Sequence, residues 1–378
     1  MTDLLQAATH LGEQAERRWE DLDRDCRIPN DLHVTAVESG LFRTLVPADM
    51  GGRGAAPLDW FRCGVELARH EASFGWVVTQ GAVELGYIAA GGDTDWAREV
   101  LQDPRAASAS SVSGMGVLRR QPSGLTLSGH WTFNTGAHGA TWIGGLATFA
   151  GSSPPEIRLV WVPAANARIL DDWDPTGLRG SDSGSTVIPE QHIDEAWVLR
   201  PFSAVEQNSG PYGCLLGNGN WPIACSVAAT ELGAARRAID EAANFLHIKT
   251  SGADGKSLAH DPTAQRQMIA AESMWTACVA LLERELGSMW IEAQRDGSLT
   301  TAQRVRLLAA NSLAATQSVR VIDQMCELTG TLSIKREHPL SRARRDAQAL
   351  RGHRAVNGEA VENAGKVWLG VIPEHRRV

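Results

Sequence analysis

The two glycines that flank Asn218 form the pattern in this sequence that is most similar to a cofactor-binding motif. Gly217-Asn218-Gly219 precedes a predicted helix, as the phosphate-binding turn of a dinucleotide-binding domain does. Pro222 follows too soon for the spacing of that motif, and the strand that should come before it is missing. We therefore interpret the segment as a loop, and we expect no nicotinamide site here.

Other signatures of catalysis are also missing from the sequence. It has no P-loop, no Gly-x-Ser-x-Gly turn and no His-Glu-x-x-His pair. Phosphoryl transfer, triad hydrolysis and zinc peptidase chemistry therefore have no support. The cysteines lack both a Cys-x-x-Cys pair and a histidine at metal-ligand spacing, so we interpret them as reduced and structural and expect no metal site. They are Cys26, Cys63, Cys214, Cys225, Cys278 and Cys326.

The composition is that of an ordinary globular protein. The 378 residues are 43% hydrophobic, which is enough to bury a large core in two or three domains. The net charge of -8 argues against general affinity for nucleic acid or anionic membranes, because both need a basic surface. No apolar run reaches the roughly 18 residues of a membrane-spanning helix, and the first residues lack a signal-peptide pattern. We expect a cytoplasmic protein.

Helical patterns precede and follow a β-rich middle segment. Pro29-Asn30-Asp31 predicts the start of a helix that Gly40 ends. Further helices are expected near 58–71, 73–90 and 94–101. From about residue 106 the pattern changes to short β-rich runs between turn clusters. These runs are 124–128, 157–161 and 196–199, with turns at 122–124 and 182–184.

After residue 211 the helical period returns. One helix, with Pro222 in its first turn, has an apolar stripe with spacings of four and three, and a second repeats apolar residues every seven positions. The stripe is Ala228, Leu232, Ala235, Ile239, Ala242 and Leu246, and the repeat is Met268, Trp275, Leu282 and Met289. A third helix is expected from Thr301 to Gly330. A fourth, near 355–370, places Val361, Ala364 and Trp368 on one face.

These patterns predict a mostly α member of the α+β class with three domains. We expect an N-terminal helical domain at 1–105, a middle antiparallel β domain at 106–210 and a C-terminal four-helix bundle at 211–378.

Short motifs follow the same order along the chain. In the first domain they are Leu45-Val46-Pro47, Gly51-Gly52, Glu66-Leu67-Ala68-Arg69 and Gly75-Trp76-Val77, and in the β domain they are segments 127–136 and 173–181. In the bundle they are Pro339-Leu340-Ser341-Arg342, Arg345-Asp346, His353 and segment 365–370. Together they resemble the flavin monooxygenases of the acyl-CoA dehydrogenase fold. The resemblance covers nearly the whole chain and implies that fold.

The C-terminal motifs distinguish the oxygenases of this fold from its dehydrogenases. True acyl-CoA dehydrogenases usually carry Gly-Thr-Ser or Gly-Thr-Ala after the Arg-Asp pair, often with the catalytic glutamate beside it. This chain instead has His353 and a helix that ends in Gly365-Lys366-x-x-x-Gly370. The resemblance is therefore to the oxygenase components of two-component monooxygenases.

The resemblance implies an enzyme that uses reduced flavin, either FADH2 or FMNH2, and O2. A C4a-hydroperoxyflavin would transfer one oxygen atom to carbon, nitrogen or sulfur of a small organic substrate. A separate NAD(P)H-dependent flavin reductase would supply the reduced flavin, and a homotetramer is expected. Two alternatives stay open: a dehydrogenase or oxidase that holds FAD tightly, with Glu84 removing a proton, and a non-catalytic relative that keeps the fold.

Five residues of the β domain are expected to contact the flavin by this resemblance. Thr135 stands where related proteins often have serine, and either hydroxyl can bond to N5 of the ring. Trp131 and Phe133 are expected along the flavin edge, and Arg179 and Ser181 near the substrate or the ring.

Three further residues are candidates for catalysis. His353 is expected to donate a hydrogen bond at the oxygen locus, because an imidazole can donate near neutral pH. Ser110 matches a substrate-side hydroxyl of related proteins. Eight residues after Trp76, phenol-hydroxylating relatives tend to have a histidine, whereas this chain has Glu84. That difference argues against a phenol and favours an amine or another hydrogen-bond donor as the substrate.

Overall fold

Helices make up the N-terminal part of the chain. The computed structural model describes residues 2–91, 94–199, 210–217, 221–250 and 255–371. The first helices are α1 (Thr2–Arg17), α2 (Trp19–Asp25), α3 (Asn30–Glu38), α4 (Pro57–His70), α5 (Ala72–Gly91) and α6 (Thr94–Gln102). The helices predicted near 58–71, 73–90 and 94–101 are confirmed as α4, α5 and α6.

A mixed sheet follows, with the strand order β4-β3-β1-β2-β6-β5. The strands are β1 (Ser108–Gln121), β2 (Gly124–Thr132), β3 (Trp142–Phe149), β4 (Ile157–Pro163), β5 (Arg168–Ile169) and β6 (Thr186–Ile193). The prediction of an antiparallel domain is wrong for β1 and β3, which run parallel. After β2 the chain crosses back to the start of β1 before β3 begins. There the Thr141 N–H bonds to the Ala107 carbonyl at 2.8 Å, which places β3 alongside β1 in the same direction.

The predicted strand at 196–199 is also wrong. Glu195–Trp197 is a 3-10 turn, and the Asp194 carboxylate caps it by accepting the Ala196 N–H at 2.9 Å. Val198 forms only an isolated bridge with Val160. The local cap therefore outweighs the β propensity of this aromatic and β-branched run.

Long helices form the C-terminal part of the chain. They are α7 (Gly210–Gly217), α8 (Trp221–Ile248), α9 (Pro262–Asp296), α10 (Thr301–Thr329), α11 (Pro339–Leu350) and α12 (Gly358–Trp368). Of the predicted loop at 217–219, Asn218 and Gly219 lie outside the described residues. Thr300 and Gln303 form a capping box at the start of α10, which ends at Gly330 as predicted. Within the described ranges, no helix has the length and apolar character that crossing a bilayer requires.

The sequence interpretation missed α11, whereas the helix predicted near 355–370 is confirmed as α12. Leu340, Ala343 and Ala347 of α11 pack into the same buried cluster as residues of α8 and α10, so α11 is a bundle helix. On α12, Ala364 is buried, but Val361 is 45% exposed and Trp368 is 78% exposed. The three residues share one face of the helix, at spacings of three and four as predicted, but only Ala364 of them is buried. The arginines of α11 concealed its narrow apolar stripe.

The interior of the sheet is built around Trp131. This side chain is fully buried, and its indole N–H donates to the Leu146 carbonyl at 2.8 Å. Gly116 lies against the indole ring, and a Cβ built at this position would come within 2.5 Å of Trp131 Cζ2. Because a buried indole has little room to move, this approach requires glycine at position 116.

We predict that Gly116→Ala destabilises the protein by about 1–3 kcal/mol, because it overpacks the sheet interior. The measurement is the free energy of unfolding in urea. Gly287→Ala on α9 is the matched control, since a Cβ there meets open space. The control should be neutral or stabilising by up to about 1 kcal/mol. Equal stability of Gly116→Ala and the wild type would contradict the close approach.

Candidate active site

One face of α5 positions both ends of the candidate site. Trp76 and Glu84 are eight residues apart, which is slightly more than two helical turns and about 12 Å along the axis. Nearly every residue of α5 is buried. Trp76 contacts Thr135, just beyond the end of β2, whereas Glu84 contacts Ser110 on β1. The helix therefore sets the distance between the two groups of predicted site residues.

Glu84 is buried and paired with a hydroxyl group. The Ser110 hydroxyl donates to Glu84 Oε2 at 2.6 Å, so the structure brings these two predicted residues together. Burial raises the pKa of Glu84 to about 7, although the Ser110 hydroxyl and the nearby Trp161 indole N–H favour the charged form. Near neutral pH this carboxyl group can therefore either donate or accept a hydrogen bond.

Thr135 lies in a chain of polar contacts that begins at Trp76. The Trp76 indole N–H donates to Thr135 Oγ1 at 3.1 Å. Thr135 Oγ1 is also 2.9 Å from Ser183 Oγ, which is 2.8 Å from Ser181 Oγ. Because an indole nitrogen can only donate, Thr135 accepts from Trp76 and keeps its own proton for another acceptor.

His353 lies on the other side of Trp76. The two rings are 5.8 Å apart at an angle of 71°, an edge-to-face contact. His353 Nδ1 accepts the Ala355 N–H at 3.2 Å, so the proton of the neutral ring belongs on Nε2. Burial, with the charge of Arg354, lowers the pKa of His353 to about 4. The imidazole is therefore neutral at neutral pH and can donate from Nε2.

A strained turn places Ser181 in this arrangement. Leu178 and Asp182, on either side of it, adopt left-handed backbone angles, with φ of 53° and 49°. The Leu178 N–H donates to Asp346 Oδ1 at 2.7 Å, and the Asp182 carboxylate accepts the His138 backbone N–H at 2.7 Å. Left-handed angles are unfavourable for residues other than glycine, so these bonds hold the turn in place.

The positions of Trp131 and Arg179 do not favour their predicted roles. Trp131 is enclosed in the sheet interior with its N–H bonded, so it offers no surface to a flavin. The Arg179 guanidinium bonds to the Asp23 carbonyl at 2.8 Å and pairs with Asp174, so it fixes the turn instead. Phe133, by contrast, is 60% exposed and stands edge-on to Trp173.

A cleft of about 650 Å³ is lined by Val77 and Gly136, which follow Trp76 and Thr135 in the chain, together with His33, His138 and Asp182. Trp76, Phe133, Thr135 and His353 are not among its lining residues. Its size is within the range of about 300–1,000 Å³ that small-molecule sites occupy. The exposed Phe133 ring, the Thr135 hydroxyl and the His353 imidazole provide an aromatic surface and hydrogen-bond donors. These groups fit the expected flavin.

Trp76 and Ser183 are the residues that sequence reasoning missed as parts of this site. Trp76 belongs to a motif that supports the family resemblance, but no role follows from the motif alone. Its eight-residue separation from Glu84 on a predicted helix is the signal that could have identified it. Ser183 gave no comparable signal, because serine in a turn is common.

Two family models match the chain. The model described as acyl-CoA dehydrogenase, N-terminal domain, matches residues 5–106. The model described as acyl-CoA dehydrogenase, C-terminal domain, matches residues 225–358. The first covers α1 to α6, and the second covers most of the bundle.

Characterised relatives align along nearly the full length. Indole-3-acetate monooxygenase of Pseudomonas putida is 25% identical, and the alignment covers 96% of this chain and 92% of the relative. The oxygenase component of FADH2-dependent resorcinol hydroxylase from Rhizobium sp. is 27% identical over 92% of this chain and 89% of its own. XiaF from Streptomyces sp., solved with FADH2 and glycerol, superposes with a TM-score of 0.90 at 20% identity. The superposition covers 100% of this chain and 97% of XiaF, which establishes a common fold.

We predict that Glu84→Gln changes how stability depends on pH. The pKa of Glu84 rises from 4.5 to about 7 on folding. The stability that the neutral form contributes is therefore complete below about pH 4.5 and is lost as the pH rises through about 7. Relative to the wild type, Glu84→Gln should gain up to about 3 kcal/mol of unfolding free energy between about pH 5 and pH 8.

The measurement is urea unfolding of both proteins across this pH range. Glu190→Gln, at an exposed position on β6, is the control and should follow the wild type. A stability difference between Glu84→Gln and the wild type that stays constant with pH would show that Glu84 is charged throughout.

Proposed function

The chain belongs to the acyl-CoA dehydrogenase family, and on that basis we propose that it is the oxygenase component of a two-component flavin-dependent monooxygenase. The main support is the contact of Trp76 with both Thr135 and His353. The names of the relatives, which are monooxygenases and a hydroxylase oxygenase component, support the same activity.

The flavin-side residues act as hydrogen-bond donors. When bound, reduced flavin supplies the electrons that activate O2, so that one oxygen atom enters the substrate and the other leaves as water. Thr135 accepts from Trp76 and would donate its own proton to N5 of the ring. His353, neutral and protonated on Nε2, would donate to the oxygen locus and keep the reacting oxygen electrophilic.

Shielding from water is the second task of these residues. Trp76 is 6% exposed and covers the Thr135 hydroxyl on the side of α5. The edge-to-face pair of Phe133 and Trp173 adds an apolar surface at the end of β2, with Phe133 itself 60% exposed. Activated oxygen loses its selectivity when water reaches it, so this enclosure favours transfer to the substrate.

Glu84 and Ser110 form the substrate end of the site in this proposal. A carboxyl group with a pKa of about 7 accepts from an N–H donor more strongly as the pH rises and the carboxylate forms. Indole-3-acetate and resorcinol, which name two of the relatives, are ring compounds with polar hydrogens. We infer that this protein oxygenates a small aromatic compound whose N–H group faces Glu84.

The proposal includes two kinds of protein partner. A separate NAD(P)H-dependent reductase supplies the reduced flavin, because the sequence has no nicotinamide motif of its own. The second kind of partner is further copies of this chain, which together form a homotetramer. Its support is the exposed apolar surface on α9 and α12, where Ile291 is 65% exposed and Trp368 is 78% exposed.

We predict that the protein delays the reoxidation of reduced flavin. The experiment mixes purified protein with reduced FMN or FAD without oxygen, and then adds an oxygen pulse in a stopped-flow spectrometer. A transient absorbing species that differs from oxidised flavin is expected, and free reduced flavin is the control. Immediate reoxidation, with and without indole as a test acceptor, would contradict the proposal. Oxidised FAD that stays bound through purification would instead support the dehydrogenase alternative.

We predict that Thr135→Val shortens the lifetime of this transient about tenfold, the factor that the loss of one hydrogen bond of about 1.4 kcal/mol produces. Valine keeps the shape of threonine without its hydroxyl. Thr135→Ser is the matched variant and should behave as the wild type, because it retains the hydroxyl. If Thr135→Val and Thr135→Ser had equal lifetimes, the hydroxyl would have no role at the flavin.

A further inference from the structure

A second cavity, which we call the bundle cavity, lies among the C-terminal helices. Its volume is about 140 Å³, and its walls come from α8, α10 and the segment that joins α11 to α12. The charged residues that line it are Glu231, Arg320, Asp323 and Arg351, and its apolar lining includes Val319 and Val356. None of the residues that we assign to flavin or substrate belongs to this lining. The bundle cavity is therefore a separate place where a ligand can bind.

Glu231 forms the buried end of the bundle cavity. The residue is fully buried, and neither of its carboxyl oxygens has a hydrogen-bond partner among the described residues. Burial raises the pKa of Glu231 well above its usual value, although the charge of Arg351 opposes this change. The neutral carboxyl group that burial favours has an O–H to donate. Glu231 therefore presents a donor to whatever fills the cavity.

Two arginines at the exposed side of the bundle cavity carry positive charges that are not paired. Arg320 and Arg351 are exposed, and in the part of the chain that the structure describes their guanidinium groups have neither an ion pair nor a hydrogen bond. Asp323, by contrast, is already paired with Arg344 at 2.9 Å. With Glu231 neutral, the lining has a net positive charge, which favours an anion. Guanidinium groups bind carboxylates and phosphates through paired N–H bonds.

The size and the apolar part of the lining distinguish between these anions. A volume of about 140 Å³ corresponds to roughly four to five water molecules, at about 30 Å³ each. The ligand therefore has about four to five non-hydrogen atoms. Val319 and Val356 are buried and present apolar surface to it. A short-chain carboxylate has oxygens at one end and carbon at the other, whereas phosphate is polar on every side, so the cavity fits the carboxylate better.

From these observations we propose that the bundle cavity binds a short-chain carboxylate such as acetate or propionate. The guanidinium groups of Arg320 and Arg351 bind its oxygens, and the O–H of Glu231 donates to the same carboxylate. The carbon end packs against the apolar lining. This site is additional to the proposed function and does not depend on it.

The ligand also fixes the segment that carries His353. Arg351 and Val356 lie on either side of His353 in the chain, and both line the bundle cavity. The His353 carbonyl accepts the Val356 and Asn357 N–H groups, each at 3.1 Å. A carboxylate held between Arg351 and α10 ties this segment to the bundle. Bound acetate should therefore slow the hydrogen exchange of the amides in residues 351–357.

The binding test titrates acetate into the full chain at constant ionic strength, with saturation-transfer NMR on the acetate methyl protons. A dissociation constant of about 1 mM is expected, because a ligand of about four non-hydrogen atoms makes few contacts. Arg320→Gln and Arg351→Gln should each weaken binding about tenfold, since each removes a charge-assisted bond. Arg354→Gln is the matched control and should bind as the wild type does, because Arg354 is an exposed arginine of the same segment outside the lining.

Two substitutions of Glu231 test its role as a donor. Glu231→Gln stays neutral and keeps an N–H donor, so its affinity for acetate should be within about threefold of the wild type. Glu231→Leu removes the donor at a similar volume and should weaken binding about tenfold. Urea unfolding checks that each variant is folded. Acetate should slow exchange at 351–357 in the wild type and in Glu231→Gln, but not in Arg351→Gln.

Three results would overturn the inference. The first is no acetate signal from the wild type at about ten times the expected dissociation constant. The second is equal affinity for acetate in the wild type and in both arginine variants, which would place the ligand elsewhere. The third is phosphate binding as tightly as acetate, or methylammonium binding in its place, since the latter requires a charged Glu231. These measurements contain no flavin, so their failure leaves the proposed function unaffected.

Discussion

The burial of α5 is the constraint on which the site depends. Nearly all of this helix is enclosed, and at Gly75 the backbone of α4 comes so close that a Cβ would lie 2.7 Å from the Ala68 nitrogen. A helix in such surroundings has no water to satisfy its polar side chains. Such groups must bond within the protein or lose their charge. Thr79 bonds to carbonyls of its own helix, whereas Glu84 accepts from Ser110 and also has a pKa raised to about 7.

The end of the site that we propose for flavin is assembled from parts of the chain that are far apart in sequence. Thr135 follows β2, His353 lies between α11 and α12, and Trp76 on α5 contacts both. The turn that carries Ser181 is tied to α11, because the buried Asp346 carboxylate accepts the Leu178 N–H. Burial raises the pKa of Asp346 to about 6. The bundle therefore contributes to the geometry of the β domain through one hydrogen bond.

Local patterns predicted the helices better than they predicted contacts. The helices α4 to α6, and the end of α10 at Gly330, follow from periodicity and from a stop residue, because these signals act within a few residues. The parallel pairing of β1 and β3 depends on where the chain returns after β2, and no local pattern encodes that return. The helix α11 was missed because its apolar stripe is narrow and rich in alanine.

The candidate site was predictable in its residue types but not in its arrangement. Glu84 and Ser110 were both predicted, yet their bond joins a helix and a strand 26 residues apart. Trp131 shares the motif of Thr135, but the alternation of a strand turns it into the sheet interior. The groups that contact Trp76 are a hydroxyl and a neutral imidazole, while Glu84 lies about 12 Å farther along α5. Glu84, the base that the dehydrogenase alternative requires, is therefore not among the groups that contact Trp76.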